Sequence, residues 1–378
     1  MSDAKCNRRE FLQRGLMATA AAGLSASSGW SKDDQIGFDP NKILNYHPDM
    51  RYRRLGKTDI YLSVLSLGGL VADEAVFNYA IDHGVNCFHT ATGYGGGSSI
   101  EILGRVMKTR RDKVFIAVKD NYDDLDRVLK VLNTDHLDFI MYNRHSANSV
   151  NDPDILKHFE KLHQAGKFRY MGLTTHRDVP ACVQTAVAEG KFIIIQPVLN
   201  QPEFEVMRAT LQTAYEKGIS IMGMKTMKGI RGEDMEVAYL KKLLQNPAIT
   251  TVNKGIGSFE MFDRYLKAVQ ETLTSAEDFQ LYRYAQKNRD NNCMMCSECE
   301  RACPKGVEIS TVLRCKDYYH EQIGDSFTAV QTLTEIPRSA MGDSTCADCR
   351  LCEAQCPNGI QIVARLSEAR RIFEPLLA

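Results

Sequence analysis

Net charge is missing from this sequence: 47 lysines and arginines face 47 aspartates and glutamates. A chain so balanced lacks the basic footprint of nucleic-acid binding, and no nucleic-acid partner is expected. Long apolar runs are missing as well. Beyond the N-terminus no stretch is apolar enough to span a bilayer, so the mature chain is expected to have no transmembrane segment. Four of the twelve cysteines (Cys6, Cys87, Cys182 and Cys315) show no paired spacing, which argues against a disulfide framework. No G-x-G-x-x-G follows the first strand-like run. The glycine-rich Gly93-Tyr94-Gly95-Gly96-Gly97 comes after the second, as a loop and not a dinucleotide fingerprint.

The other eight cysteines form two complete copies of one pattern: Cys293-x2-Cys296-x2-Cys299-x3-Cys303-Pro304 and Cys346-x2-Cys349-x2-Cys352-x3-Cys356-Pro357. This is the bacterial ferredoxin run, in which three close thiolates hold one cluster and the fourth usually reaches the other. On that pattern one [4Fe-4S] cluster takes Cys293, Cys296, Cys299 and Cys356, and the second takes Cys346, Cys349, Cys352 and Cys303. Zinc is the competing ligand for C-x2-C pairs, but four-cysteine zinc sites do not need a third step followed by Cys-Pro.

At the N-terminus, Asn7-Arg8-Arg9-Glu10-Phe11-Leu12 precedes a mild apolar run from Gly15 to Leu24 and the small residues Ser25-Ala26-Ser27-Ser28-Gly29. The three regions read as a twin-arginine export signal over residues 1–30, against the alternative of an ordinary amphipathic helix. That route carries folded proteins, so clusters could be inserted before export. A bacterial periplasmic or cell-envelope location is the expectation.

With 378 residues the chain can form one large domain and a small one. Between about Tyr52 and Gln270, strand-like and helix-like segments alternate. The β-rich runs begin at Leu62–Leu67 and continue at Asn86–His89, Val114–Val118, Asp138–Tyr142, Tyr170–Leu173, Phe192–Pro197, Ser220–Met224 and Thr250–Lys254. Helical patterns lie between them, among them Asp154–Ala165, Glu203–Lys217 and Phe259–Gln270. Eight such units predict an α/β fold, a (β/α)8 TIM barrel over residues 51–272, in preference to a doubly wound open sheet. A linker helix over residues 273–290 then leads to a small, mainly helical ferredoxin-like domain over residues 291–378. Its expected parts are an amphipathic helix at Ile309–Gln322 and a polar stretch around Gly324–Ser344.

In such a barrel, functional groups belong at the C-terminal ends of the strands. Those ends supply His89 and Tyr94, then Lys119, then Asn143, Arg144 and His145. An ammonium beside a phenol favours the phenolate, which suits the phenol to protonate a carbonyl oxygen as hydride arrives. Taken singly, a loop tyrosine and a solvated lysine are the commoner fates.

Several motifs resemble the aldo/keto reductase superfamily: Arg54-Leu55-Gly56-Lys57-Thr58, Asn86-Cys87-Phe88-His89-Thr90-Ala91-x-x-Tyr94-Gly95, Val118-Lys119 and Gly166-Lys167-Phe168-Arg169-Tyr170-Met171-Gly172. Gln196, the Met224-Lys225-Thr226-Met227 step and the Gly255–Glu260 loop extend the likeness. With the cysteine runs attached, the chain resembles the iron–sulfur branch of that superfamily. The resemblance implies a barrel that binds NADP(H) without a Rossmann unit and a catalytic set of Asp, Tyr, Lys and His. Tyr94 matches the general acid and Lys119 its partner. His89 stands where the family has the aspartate, and Asn143 where most members have a carbonyl-polarising histidine. Potassium-channel β subunits in the same superfamily also carry Asn-Arg there, and His145 lies two residues on. In the cofactor pocket, Thr174 and Thr175 replace a Ser-Asn pair, Gln196 matches, and Met224 replaces a stacking aromatic. Lys225 follows it, Ser258 remains in the last loop, and Arg264 is placed to meet a 2′-phosphate.

Hydride chemistry moves two electrons together, whereas each cluster takes one. No flavin motif bridges the two. Three readings follow: an exported nucleotide-bearing enzyme passing electrons to a redox partner protein; a reductase of a small carbonyl or alcohol (aldehyde, ketone or sugar) whose clusters are structural; or a degenerate barrel serving as scaffold for an electron-transfer or partner-binding module. Tyr94 and Lys119 favour the enzyme; His89 and Asn143 favour the scaffold.

Overall fold

The computed structural model describes residues 39–69, 73–119, 124–320 and 326–377. The twin-arginine signal expected at residues 1–30 lies outside the described residues. Among those described, no helix is long and apolar enough to cross a membrane.

A short antiparallel hairpin, β1 (Tyr52–Arg54) and β2 (Tyr61–Ser63), precedes eight parallel strands closed into a barrel. These are β3 (Leu65–Gly68), β4 (Cys87–Ala91), β5 (Phe115–Lys119), β6 (Leu137–Asn143), β7 (Phe168–Thr175), β8 (Ile194–Pro197), β9 (Ser220–Met224) and β10 (Ile249–Lys254). The sheet runs in chain order and closes by pairing β10 with β3. The expected first strand, Leu62–Leu67, is in fact two. The chain breaks at Val64 because the first half belongs to the hairpin, which carries Leu55 and Leu62 into the barrel's lower interior. Gly56 makes that plug possible: it holds φ of 54°, and a Cβ there would stand 2.1 Å from the Gly218 carbonyl oxygen.

Alternation along each strand divides the core into two layers. Cys87, Ala117, Phe139, Met141, Ile194 and Met222 fill the lumen, while Phe88, Ile116, Val118, Ile140 and Ile195 face the helices. The same parity decides the site. His89, Lys119, Asn143, Thr174, Gln196 and Met224 each follow a lumen position by two residues, so all are carried to the inward side of the C-terminal mouth.

The expected linker helix is no free linker. Its helix, Ser275–Lys287, lies along Glu233–Leu244. Lys241 pairs with Glu271 and Glu277 at 2.6 and 2.8 Å, and Leu281 is fully buried in the barrel's outer core. Beyond it a second, smaller core gathers Val307, Val312, Leu313, Ala329, Leu366 and Phe373. Helices Ile309–His320, Ser326–Thr334 and Ile362–Leu377 enclose it. The stretch expected to be polar contains a helix, held by Ala329 and Leu333 on its buried face.

The tandem cysteine pattern is also a structural repeat, with an offset of 53 residues. Ser297 and Arg350 both hold a left-handed backbone just after a cysteine, with φ of 56° and 45°. Gly306 and Gly359 do the same three residues after Cys303 and Cys356. Glu300 accepts the Ser310 amide at 2.7 Å and Glu353 accepts the Val363 amide at 2.9 Å, each capping the helix that follows.

Candidate active site at the barrel mouth

Tyr94 and Lys119 come together. Strand β5 delivers Lys119 opposite Ala91, and the 3-10 turn Tyr94–Gly97 folds the tyrosine back over it. That turn needs its glycines, since Gly95 and Gly96 hold φ of 59° and 65°. The Lys119 Nζ lies 5.1 Å from the Tyr94 ring centroid. The His89 ring stands 6.1 Å from the same ring. His89 is 3% exposed, and neither ring nitrogen has a hydrogen-bond partner among the described residues. Burial, reinforced by the charge on Lys119, pulls its pKa down to about 3. The imidazole is therefore neutral, and Lys119 has no anion in the place where the family's aspartate stands.

Asn143 ends β6 level with Thr174. His145, two residues on, does not join the tyrosine ring; it packs 5.7 Å from the ring of His176 and accepts the His176 backbone amide at 3.4 Å. Burial and then Arg314, Lys119, Arg177 and Arg144 bring the His145 pKa to about 3. His176 is pushed well down by burial, then by Lys225 and Arg314. Neither imidazole is cationic at neutral pH.

On the far side of the lumen, Thr174, Thr175, Gln196 and Met224 form one buried group. The Thr174 hydroxyl donates to the Gln196 carbonyl at 3.2 Å and meets the Met224 sulfur at 4.0 Å. Thr175 donates to the Arg177 carbonyl at 3.0 Å instead. The Gln196 amide nitrogen contacts the Met222 sulfur at 3.2 Å, which leaves Gln196 Oε1 buried without a partner among the described residues. An enclosed, unused acceptor of this kind suits an amide N–H of a ligand. Ser258 and Arg264 stand apart. Ser258 caps helix Phe259–Gln270 by accepting the Met261 amide at 3.2 Å, and Arg264 pairs with Glu233 at 2.8 Å.

The mouth has a second wall that sequence patterns did not reveal. Arg177, just past β7, bonds Glu308 at 2.6 Å, and Asp178 holds Arg301 at 2.8 Å. After β9, Lys228 meets Asp317 at 2.7 Å and Lys225 lies 3.9 Å over the Tyr318 ring. Across the mouth, Phe327 and Gln331 of helix Ser326–Thr334 close on the Tyr94 turn; a Cβ on Gly96 would stand 3.4 Å from Phe327, and one on Gly93 3.3 Å from Gln331. The C-terminal domain thus lies across the catalytic end of the barrel. His176 and Arg177, directly after the Thr174-Thr175 strand end, were findable from the barrel rule. Arg314 and Tyr318 carried no such signal, being part of an ordinary amphipathic helix.

Cysteines of the two runs lie near one another. Cys296 and Cys299 each feel the charges of Cys293 and Cys356, and Cys352 feels that of Cys303. Cys303, Cys346, Cys349 and Cys352 line a single cavity together with Val307, Ile309 and Leu366. Among the described residues, no three His, Cys, Asp or Glu side chains converge as ligands of one metal ion.

The buried histidines set an acid limit on stability. The folded pKa values of His89 and His145 lie near 3 and that of His176 well below the ordinary 6.5, so the unfolded chain binds more protons as pH falls below 6.5. Their contribution is complete above pH 6.5 and is lost as pH falls. Glu203, raised to about 8 by burial, works the other way, gaining as pH falls from 8 toward 4.5. Three groups oppose one, so the denaturation midpoint is expected to drop from pH 7 to pH 5. His89→Gln should flatten the slope; an unaltered slope in that variant would count against a neutral His89.

Residues 72–242 match the sequence model of the aldo/keto reductase family. A curated relative, the uncharacterized oxidoreductase YqkF of Bacillus subtilis, is 28% identical over 172 residues, 39% of this chain. The match spans only 55% of that relative's length. Among solved structures, the holo form of aldo-keto reductase AKR11C1 from Bacillus halodurans superposes with a TM-score of 0.52 at 20% identity. The likeness covers 63% of this chain and 96% of that one. Its apo form gives 0.50 at 20% identity, over 62% and 96%. Residues 72–242 are thus similar in sequence to the aldo/keto reductase family, and the barrel shares the fold of these solved structures.

Proposed function

We propose that this protein is an iron–sulfur oxidoreductase of the aldo/keto reductase type that interconverts a small carbonyl compound and its alcohol at the barrel mouth. The observation that carries this reading is the Lys119 ammonium 5.1 Å from the Tyr94 ring at the inward end of β5. The Tyr94 hydroxyl gives its proton to the carbonyl oxygen in reduction and takes it back in oxidation. Lys119 offsets the negative charge left on the phenol, with no carboxylate paired to it among the described residues. The Asn143 amide, on the inward face of β6, donates a hydrogen bond to the same oxygen. Neutral His89 walls the pocket and can donate or accept a hydrogen bond without adding charge.

The nicotinamide end of the site fits NADP(H). Gln196 Oε1 offers a buried acceptor for the carboxamide, with Thr174 and Met224 against the ring and Thr175 and Lys225 at its margin. Ser258 and Arg264 would serve the phosphate end, Arg264 only after parting from the exposed Glu233. Bound there, NADP(H) would supply or accept the hydride.

The two cysteine quartets fit two [4Fe-4S] clusters, with Cys356 and Cys303 as the exchanged fourth ligands. Such clusters would carry single electrons to a partner protein or hold the domain together. The twin-arginine motif supports export to the periplasm or cell envelope.

The scaffold reading is favoured by the covered mouth and by the lack of an anion beside Lys119. Anaerobic purification followed by absorption and paramagnetic-resonance spectra, with nucleotide analysis of the released ligand, separates the two. Cluster signals together with NADP(H), and nucleotide oxidation by an aldehyde panel, are expected of the enzyme. Clusters with no nucleotide binding at millimolar concentration would leave the scaffold.

A further inference from the structure

We infer that the covered side of the mouth binds a small oxoanion, held jointly by Arg314 of the C-terminal domain and by Lys225 and His176 of the barrel. Arg314 is 7% exposed, yet its guanidinium has no hydrogen bond and no carboxylate partner among the described residues. Nε is enclosed without a partner among the described residues, and the guanidinium lies 5.9 Å from the centre of the Tyr318 ring. An enclosed guanidinium N–H left without an acceptor is costly unless something accepts from it.

Lys225 shares that ring from 3.9 Å and likewise has no ion pair. Its backbone is held at φ of 50°, a region that lysine seldom occupies, which aims the side chain from the end of β9 toward the C-terminal helix. Lys119, also at the mouth, has no carboxylate partner among the described residues. The nearby acids are already engaged: Glu308 and Glu300 by Arg177, and Asp317 by Lys228. Glu335 acts on Arg314 only from an exposed position.

Elsewhere at this interface Arg177 and Arg301 each meet an acid. The unmatched set is confined to the side facing the lumen. Burial and mutual repulsion hold Lys225, His145 and His176 away from their charged forms, and an oxoanion would relieve both. A planar guanidinium with two flexible or switchable donors suits a carboxylate, phosphate or sulfate group.

Two molecules could bring that group: an acidic carbonyl substrate, or the phosphates of a nicotinamide nucleotide. The place favours the substrate. Lys225 directly follows Met224, and His176 follows Thr174-Thr175, so the anion would sit beside the nicotinamide end. The oxoanion site stands without the reductase reading; its assignment to an acidic substrate rests on it.

Isothermal titration of the anaerobic, cluster-bearing full chain with inorganic phosphate, and with sulfate, at fixed ionic strength tests the site. Saturable binding at one site is expected. Arg314→Met and Lys225→Met should each weaken it by at least about tenfold, the loss of a charge-assisted hydrogen bond. Non-saturable heats in the native protein, or unchanged affinity in both variants, would overturn the proposal. Circular dichroism checks Arg314→Met for an unseated domain, and Lys225→Met probes the site from the barrel alone. Repeating the phosphate titration with saturating NADP+ separates the sources: additive binding is expected, whereas competition would reassign the group to the nucleotide. Should phosphate bind while no carbonyl compound is ever turned over, the reductase reading falls and the anion site remains.

Discussion

Tyr94→Phe is expected to lower kcat/KM for carbonyl reduction by about 10²–10⁴, the usual worth of a positioned proton donor. The variant loses one oxygen and keeps the ring. The ring is what Lys119 and His89 pack against, at 5.1 and 6.1 Å, and the turn that carries it is shaped by Gly95 and Gly96. Fold and nucleotide affinity should therefore change little. That separation makes the variant decisive, because a general loss of structure would show in both. Steady-state rates and nucleotide titration on the same preparation give the comparison. A kcat/KM within about threefold of the native value would remove Tyr94 from the chemistry and with it the reductase reading.

The barrel was legible because its code is local. Period-two alternation around Cys87, Ala117 and Met141 fixes which residues line the lumen, and the barrel rule then fixes which end matters. Counting in twos from those positions brings His89, Lys119 and Asn143 to one side. Strand β9 begins and ends where its pattern said. The first strand did not, because Val64 is buried on both counts: nothing in a run of apolar residues marks the point where a hairpin hands over to a barrel. His145 illustrates a different failure. Its parity is right, but beyond Asn143 the strand has ended, and the side chain turns to His176. The wall formed by Arg314, Tyr318 and Phe327 was illegible for a third reason. Docking of one domain on another depends on complementary surfaces far apart in sequence, here Arg177 with Glu308 and Lys228 with Asp317, and no spacing rule links them.

Cys299→Ser is expected to abolish the visible absorbance of one cluster and to disturb the barrel mouth as well. Cys299 is 8% exposed within the small core that also holds Val312, Leu313 and Leu333. A domain of this size has little apolar surface to bury, and a metal centre bound only in the folded state contributes its binding energy to folding. The helices that depend on that core, Ile309–His320 and Ser326–Thr334, are the ones that lay Tyr318, Arg314 and Phe327 over the site. Loss of the cluster should therefore expose the mouth, seen as faster proteolysis after the barrel and a changed KM with the barrel's own helicity retained. Cys182→Ala, at a buried position outside both quartets, should keep the full absorbance. If Cys299→Ser bleaches the protein yet leaves kcat and KM untouched, the C-terminal domain has no hand in the reaction, and its contacts with Arg177 and Lys228 serve attachment alone. If both constants move together with the absorbance, the iron centre and the barrel chemistry share one structural element, the helix that carries Arg314.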